Sequence, residues 1–196
     1  MACCINKLQK RKDIADACKE LFINEHHNDI TMSQIALAAG IGKGTIYEYF
    51  ANKEDIVFEL MSTLMEASDI LLTTKIAKAS STKEKIKVFF EFFYDDQRFE
   101  LRSIYKEFIS ISLQNSNSKV ITFQTKCHTN YHAWLREIIQ EGVNNGELVP
   151  QTLQLINGLF AFASGMFITK SITNTVDELE KEINDFIDTL FTLIQK

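Results

Sequence analysis

An all-α fold is predicted by three features of the sequence. Apolar residues recur at helical spacing almost throughout, no strand-like alternation lasts more than a few residues, and only one proline and seven glycines interrupt 196 residues. With 45% hydrophobic residues the chain has enough apolar material for a core. The expected architecture is about nine helices, arranged as a three-helix head over residues 1–52 and a helical body over residues 53–196.

The first helix is expected over about Lys10 to Asn24, where Ile14, Ala17, Cys18, Leu21 and Phe22 make one stripe. Lys7, Lys10, Arg11 and Lys12 form a basic arm ahead of it, which suits either contact with phosphate or a solvated terminus. Glu25 to Asp29 is polar, carries His26 and His27, and reads as a loop. A second helix begins at Thr31, which can cap it while Gln34 bonds back; Ile30 and Ile35 stand where a hydrophobic staple would close. Gly40 and Gly42 flank Ile41 and allow a tight turn through positive φ around one buried side chain. A short helix over about Lys43 to Phe50 follows, anchored by Ile46 and Phe50. Asn52 then caps a long helix that reaches about Ala79, with Glu54 and Asp55 in its first turn and a stripe of Ile56, Leu60, Leu64 and Leu71. Further breaks are expected at Ser80 to Thr82, Asp95 to Arg98, Asn115 to Ser118, Asn144 to Pro150 and Thr173 to Thr175.

The net charge of −5 excludes a protein that coats nucleic acid through bulk charge. Residues 1–53 nevertheless carry seven Lys and Arg against six Asp and Glu, so the N-terminal end is the less acidic one. Cys3, Cys4, Cys18 and Cys127 show neither a disulfide framework nor a zinc spacing, and a reducing cytoplasm is the simplest inference. No leader-like apolar run opens the chain, and the longest apolar stretch, Leu159 to Thr169, falls short of the roughly 18 residues that span a bilayer. No export and no membrane crossing are expected.

Two helices joined by so tight a turn form a helix-turn-helix, whose second helix enters the DNA major groove and must be anchored behind and polar or small in front. Around Ile46 and Phe50 lie Lys43, Gly44, Thr45, Tyr47, Glu48 and Tyr49, with no aliphatic side chain among them. Gly44 lets backbone approach the duplex, the three hydroxyls can donate to phosphates, and Lys43 can reach phosphate or a guanine edge. Lys53 joins amides at the start of the long helix that favour a phosphate.

The stretch Thr31-Met-Ser-Gln-Ile-Ala-Leu-Ala-Ala-Gly-Ile-Gly-Lys-Gly-Thr-Ile-Tyr-Glu-Tyr-Phe-Ala-Asn-Lys-Glu-Asp55 closely resembles the DNA-binding head of the TetR/AcrR family of repressors. The likeness runs from about Lys12 to Leu60 and reappears more weakly in Glu141 to Pro150. It implies a homodimeric, ligand-released repressor without enzymatic activity or cofactor, with double-stranded operator DNA as partner. The implied DNA contacts are Thr31, Ser33, Lys43, Gly44, Thr45, Tyr47, Tyr49 and Lys53. Three positions depart from the family pattern. His26 and His27 replace a glycine and an aromatic residue, Gly42 replaces a capping serine, and Leu37 replaces a polar residue and is expected to cover a contact with the body.

In the body, Leu155, Ile156, Leu159, Phe160, Ala163 and Met166, then Leu179, Ile183, Phe186, Ile187, Leu190 and Ile194, form stripes too broad for one neighbour. Gly158 and Gly165 allow close approach, so a four-helix interface between two copies is expected at Leu159, Phe160, Ala163, Ile183, Phe186, Ile187 and Leu190; packing within one chain is the alternative. Two recognition helices would then enter successive grooves of a palindrome. The segment between the long helix and these two is crowded with aromatics. The resemblance places an inducer pocket there, for a small apolar or aromatic molecule lined by Phe93, Tyr131, His132 and Trp134; plain core is the alternative. A rival reading, a metal on Cys127, His128 and His132, lacks the glutamate of a zinc-protease helix. A vestigial helix-turn-helix in a general binding module is a second rival.

Overall fold

The computed structural model describes residues 2–114 and 118–196, with the side chains among them apart from those of residues 2–6 and Ser118. Ten α-helices are present among the described residues, with 3-10 turns at Glu91–Phe93, Asp96–Arg98 and Pro150–Leu155; the one bridge of β type is an isolated pair, Leu148 with Gln195. The all-α expectation therefore holds. Of the expected break at Asn115 to Ser118, residues 115–117 lie outside the described residues, as do the side chains of Cys3 and Cys4. The chain packs as two compact units: Met1–Asp69 with Phe99–Asn117, and Ile70–Arg98 with Ser118–Lys196.

The first unit holds α1 (Ala2–Ala17), α2 (Lys19–Asn24), α3 (Met32–Ala38), α4 (Lys43–Ile46), the first part of α5 (Lys53–Lys78) and α7 (Phe99–Gln114). The expected first helix is thus two, broken at Cys18, where 3-10 bonds from Cys18 to Ala15 and from Leu21 to Cys18 replace the regular ladder. Ala15 is buried and Ala17 is exposed, while Ile14, Cys18 and Phe22 are enclosed as expected. Burial pushes the Cys18 thiol up to about 11, which keeps it protonated. The basic residues Lys7 to Lys12 lie within α1 rather than ahead of it. Along α5, Ile56 and Leu60 are buried but Leu71 is exposed and Leu72 takes its place inward.

The second unit holds the rest of α5, α6 (Thr82–Phe90), α8 (Ser118–Asn144), α9 (Ile156–Ile172) and α10 (Leu179–Ile194). Helix α6 packs on α8 and α10, and α9 packs on α8 and α10. At the α6–α8 contact a Cβ on Gly142 would stand 2.5 Å from Thr82 Oγ1, so only glycine fits there. Gly146, at φ 77°, closes α8, and Pro150 opens the 3-10 turn before α9. The helical run Pro150–Ile172 is long and apolar enough to reach across a bilayer by length and composition only, a property that the core helix of a protein shares. Its Ile156, Leu159, Ala163 and Phe167 are buried within the protein.

Candidate nucleic-acid interface

Local bonding sets every bend of the helix-turn-helix. At the start of α3 the Thr31 hydroxyl accepts from the Gln34 amide at 3.3 Å, and Gln34 Oε1 accepts from the Thr31 amide at 2.8 Å. This is the expected capping box, and both staple residues, Ile30 and Ile35, are buried. At its end Gly40 adopts φ 65°, while the amide of Ile41 donates to Ala36 and that of Gly40 to Leu37. These two bonds make a Schellman closure that only a residue tolerant of positive φ completes cheaply. Gly42 is extended instead and serves as N-cap of α4, so the turn needs one left-handed glycine and not two; Ile41 is half-buried.

Helix α4 has a single regular turn, Lys43–Ile46, extended by turns through Tyr49. Ile46 and Phe50 are fully buried and hold it down. Arg11 fixes its far end: the guanidinium donates to the Tyr49 carbonyl and to Glu59, at 3.0 Å, and covers the Phe50 ring at 4.2 Å. Lys12 pairs with Glu66 at 2.7 Å. Two of the four residues of the expected basic arm are thus engaged within the first unit, because α1 starts early enough to lay them on its neighbours.

The outward side of α4 carries exposed Lys43, Gly44, Thr45 and Tyr47, the last 51% exposed. A Cβ added at Gly44 meets nothing within 4 Å, so its own fold gives no reason for a glycine there. Tyr49 is half-buried with the Lys7 ammonium 5.9 Å from its ring. Thr31 and Ser33 are exposed at the start of α3, although the Thr31 hydroxyl is occupied by the cap. Lys53 donates to the carbonyls of Asn28 and Ile30, both at 3.1 Å, which leaves one of its three N–H donors. Asn52 caps α5 through the Asp55 amide at 2.9 Å, as expected. Leu37 is 82% exposed.

Glu107 of α7, absent from the sequence reading, ties the loop before α3. Its buried carboxylate accepts from the His27 amide at 3.0 Å and lies 3.0 Å from His27 Nδ1 and 3.1 Å from His26 Nδ1. Burial alone would raise its pKa; the His27 and His26 hydrogen bonds outweigh that and hold it below the ordinary carboxylate value. The departure at His26 and His27 is therefore matched by an acid on another helix. The available signal was a lone carboxylate inside the apolar stripe Leu101, Ile104, Phe108 and Ile111.

Among the residues expected to line a ligand, Tyr131 and Trp134 stack at 6.3 Å and both meet Phe89, whereas Phe93 joins Phe90 and Phe167. His132 stacks on His128, whose ring meets Phe160. All belong to one aromatic network in the second unit. Among the described residues no three His, Cys, Asp or Glu side chains group to hold a metal.

Of the expected interface residues, Leu159, Ala163, Ile183 and Ile187 are enclosed in their own chain and are core, a correction to the sequence reading. The stripes were broad because each helix has two apolar faces, and these four lie on the inner one. Phe186 is exposed, with its ring 3.8 Å from that of Phe162; Phe160 and Leu190 are half-buried. The outer face also presents Leu155, Gly158, Gly165, Ile168, Ile172 and Leu193.

A helix-turn-helix with a polar, small-residue recognition face, carried on a helical body, defines a DNA-binding regulator. Residues 14–60 match the family model described as bacterial regulatory proteins, tetR family. The fatty acid metabolism regulator protein of Bacillus subtilis is 27% identical over 146 residues, 72% of each chain. A structure of the regulator FadR from Bacillus subtilis in complex with stearoyl-CoA superposes with a TM-score of 0.68 at 25% identity, covering 92% of this chain and 97% of that one. A transcriptional regulator from Saccharomonospora viridis in complex with choline gives a TM-score of 0.79 at 16% identity, with 96% and 98% covered. Residues 14–60 thus match the DNA-binding segment of the TetR family, and over most of its length the chain is similar to transcriptional regulators.

Proposed function

We propose that the protein is a cytoplasmic repressor that binds a palindromic operator as a homodimer and is released when a small apolar or aromatic molecule enters its body. Residues 1–52 form the DNA-binding domain and residues 53–196 the ligand-binding and dimerisation domain. The observation that carries the DNA part is Gly44. A helical glycine costs roughly 0.5–1 kcal/mol relative to alanine, and here the space it leaves is open to something outside the chain. Lys43, Thr45 and Tyr47 surround that opening with groups that suit phosphate and base edges. Ser33, Tyr49, Thr31 and the remaining donor of Lys53 complete the contact set.

Homodimerisation is supported by the outer face of α9 and α10. Phe186, Ile172 and Leu193 are exposed there beside two glycines with no neighbour within 4 Å, an apolar patch of the kind that marks an interaction surface. Two copies would set their recognition helices about 34–36 Å apart, the spacing of successive major grooves. The bound molecules of the two regulators in complex, stearoyl-CoA and choline, support a small-molecule signal. The ligand acts by its different affinity for two dimer shapes. Helix α5, in the first unit to Asp69 and the second from Ile70, is the continuous element available to carry that difference.

Selection of bound DNA from a random pool, followed by footprinting and sedimentation of the complex, tests this reading. A palindrome bound by two chains is expected. Sequence-indifferent binding, or one chain per site, would overturn it.

A further inference from the structure

Arg98, which ends the 3-10 turn Asp96–Arg98, is 4% exposed, and none of its three guanidinium nitrogens has a hydrogen-bond partner. Its ion pair is with Asp95, whose Oδ2 is 4.0 Å from Arg98 Nε. That carboxylate is already engaged by Lys75 Nζ at 3.0 Å and by the Gln97 amide at 3.0 Å. Lys75 is in turn held by Glu91 at 2.6 Å. Asp95 therefore offsets some of the guanidinium's charge while leaving its N–H donors unmet.

Arg98 differs in kind from the other orphaned groups in this unit. The Thr152 hydroxyl and Asn184 Oδ1 are neutral single atoms, and burying one unbonded costs about 1–3 kcal/mol. A buried guanidinium presents five donors, cannot shed its proton, and costs more. Such a group persists when an acceptor reaches it from outside the chain, and its planar fork matches a carboxylate in a bidentate pair. The same stretch of backbone carries Phe92 and Phe93, whose rings join the aromatic network through Phe90 and Phe167.

We infer that Arg98 anchors the carboxylate of the small molecule taken up by the body, so that the signal is an apolar acid rather than a neutral apolar compound. This rests on the ligand-released reading above and deepens it.

Calorimetric titration of the full-length protein with decanoate and with decan-1-ol tests it. The wild type is expected to bind the acid about ten- to a hundredfold tighter, the worth of a charge-assisted hydrogen-bonded pair. Arg98→Met abolishes that preference, and Arg98→Lys, which keeps charge but loses the fork, retains part of it. Without ligand, Arg98→Met melts at the same temperature as the wild type or a few degrees higher, because it removes a buried cation whose N–H donors are unmet and whose charge Asp95 offsets only in part. A lowered melting temperature would mark Arg98 as a structural partner of Asp95 and overturn the inference, as would equal binding of acid and alcohol by the wild type or no binding of either. Operator release is measured separately. Acid-selective binding that leaves the operator bound refutes ligand release but keeps the site; release by decanol as readily as by decanoate does the reverse.

Discussion

Two surfaces of this protein are left exposed, and their chemistry is opposite. Helix α4 exposes Lys43, Gly44, Thr45 and Tyr47, while α9 and α10 expose Phe186, Ile172 and Leu193. The first suits a polyanion with a solvated groove, the second an apolar copy of itself. Each rests on a well-filled inner face: Ile46 and Phe50 beneath α4, Leu159, Ala163, Ile183 and Ile187 beneath α9 and α10. Position on the helix, not residue type alone, separates what folds the protein from what it binds.

Hollowing the inner face of α4 does the most damage. Phe50→Ala is expected to cost about 3–5 kcal/mol and to abolish operator binding, as read by urea unfolding and a gel-shift titration. A charge on the outer body face acts differently. Phe186→Glu should leave helicity unchanged but shift the sedimenting species from dimer to monomer and weaken operator binding with it. If the dimer survives intact, the apolar face has another use.

On the α4 surface, Lys43→Ala should weaken operator binding without lowering the melting temperature, and reduce the slope of log affinity against log salt by about 1. Thr31→Ala removes the capping box at about 1 kcal/mol, seen as a lower denaturation midpoint. The smallest effect is pH-dependent. Because Glu107 is held below its ordinary value of 4.5, its stabilising contribution is complete above that value and is lost as pH falls through the lower folded one. Glu107→Gln should flatten that acid loss and leave the loop His26–Asp29 less protected in hydrogen exchange at neutral pH.

The head was legible because its instructions are short-range. Thr31 with Gln34, Gly40, and Asn52 with Asp55 act over three or four residues, and their spacing names the geometry they produce. What escaped depends on distant partners. Arg11 reads as part of a basic arm, for phosphate or for solvent, until Glu59 and the Tyr49 carbonyl are brought to it, 48 and 38 residues away. Glu107 stands inside an apolar stripe, but its role is unreadable until His26 and His27 arrive from about 80 residues upstream. In the body the apolar pattern showed that α9 and α10 had more than one neighbour, but a pattern with two apolar faces does not say which faces inward. Buried Ala163 and exposed Phe186 reverse the order that side-chain size alone would suggest.

Gly44, Gly158 and Gly165 each lie in a helix with nothing of their own chain within 4 Å of where a Cβ would stand. Alanine at any of them would make the isolated chain more stable by roughly 0.5–1 kcal/mol. A campaign that screened variants for heat resistance alone would therefore gather all three changes. It would return a hardier protein, one less able to make the close approaches to DNA and to a second copy that are proposed above.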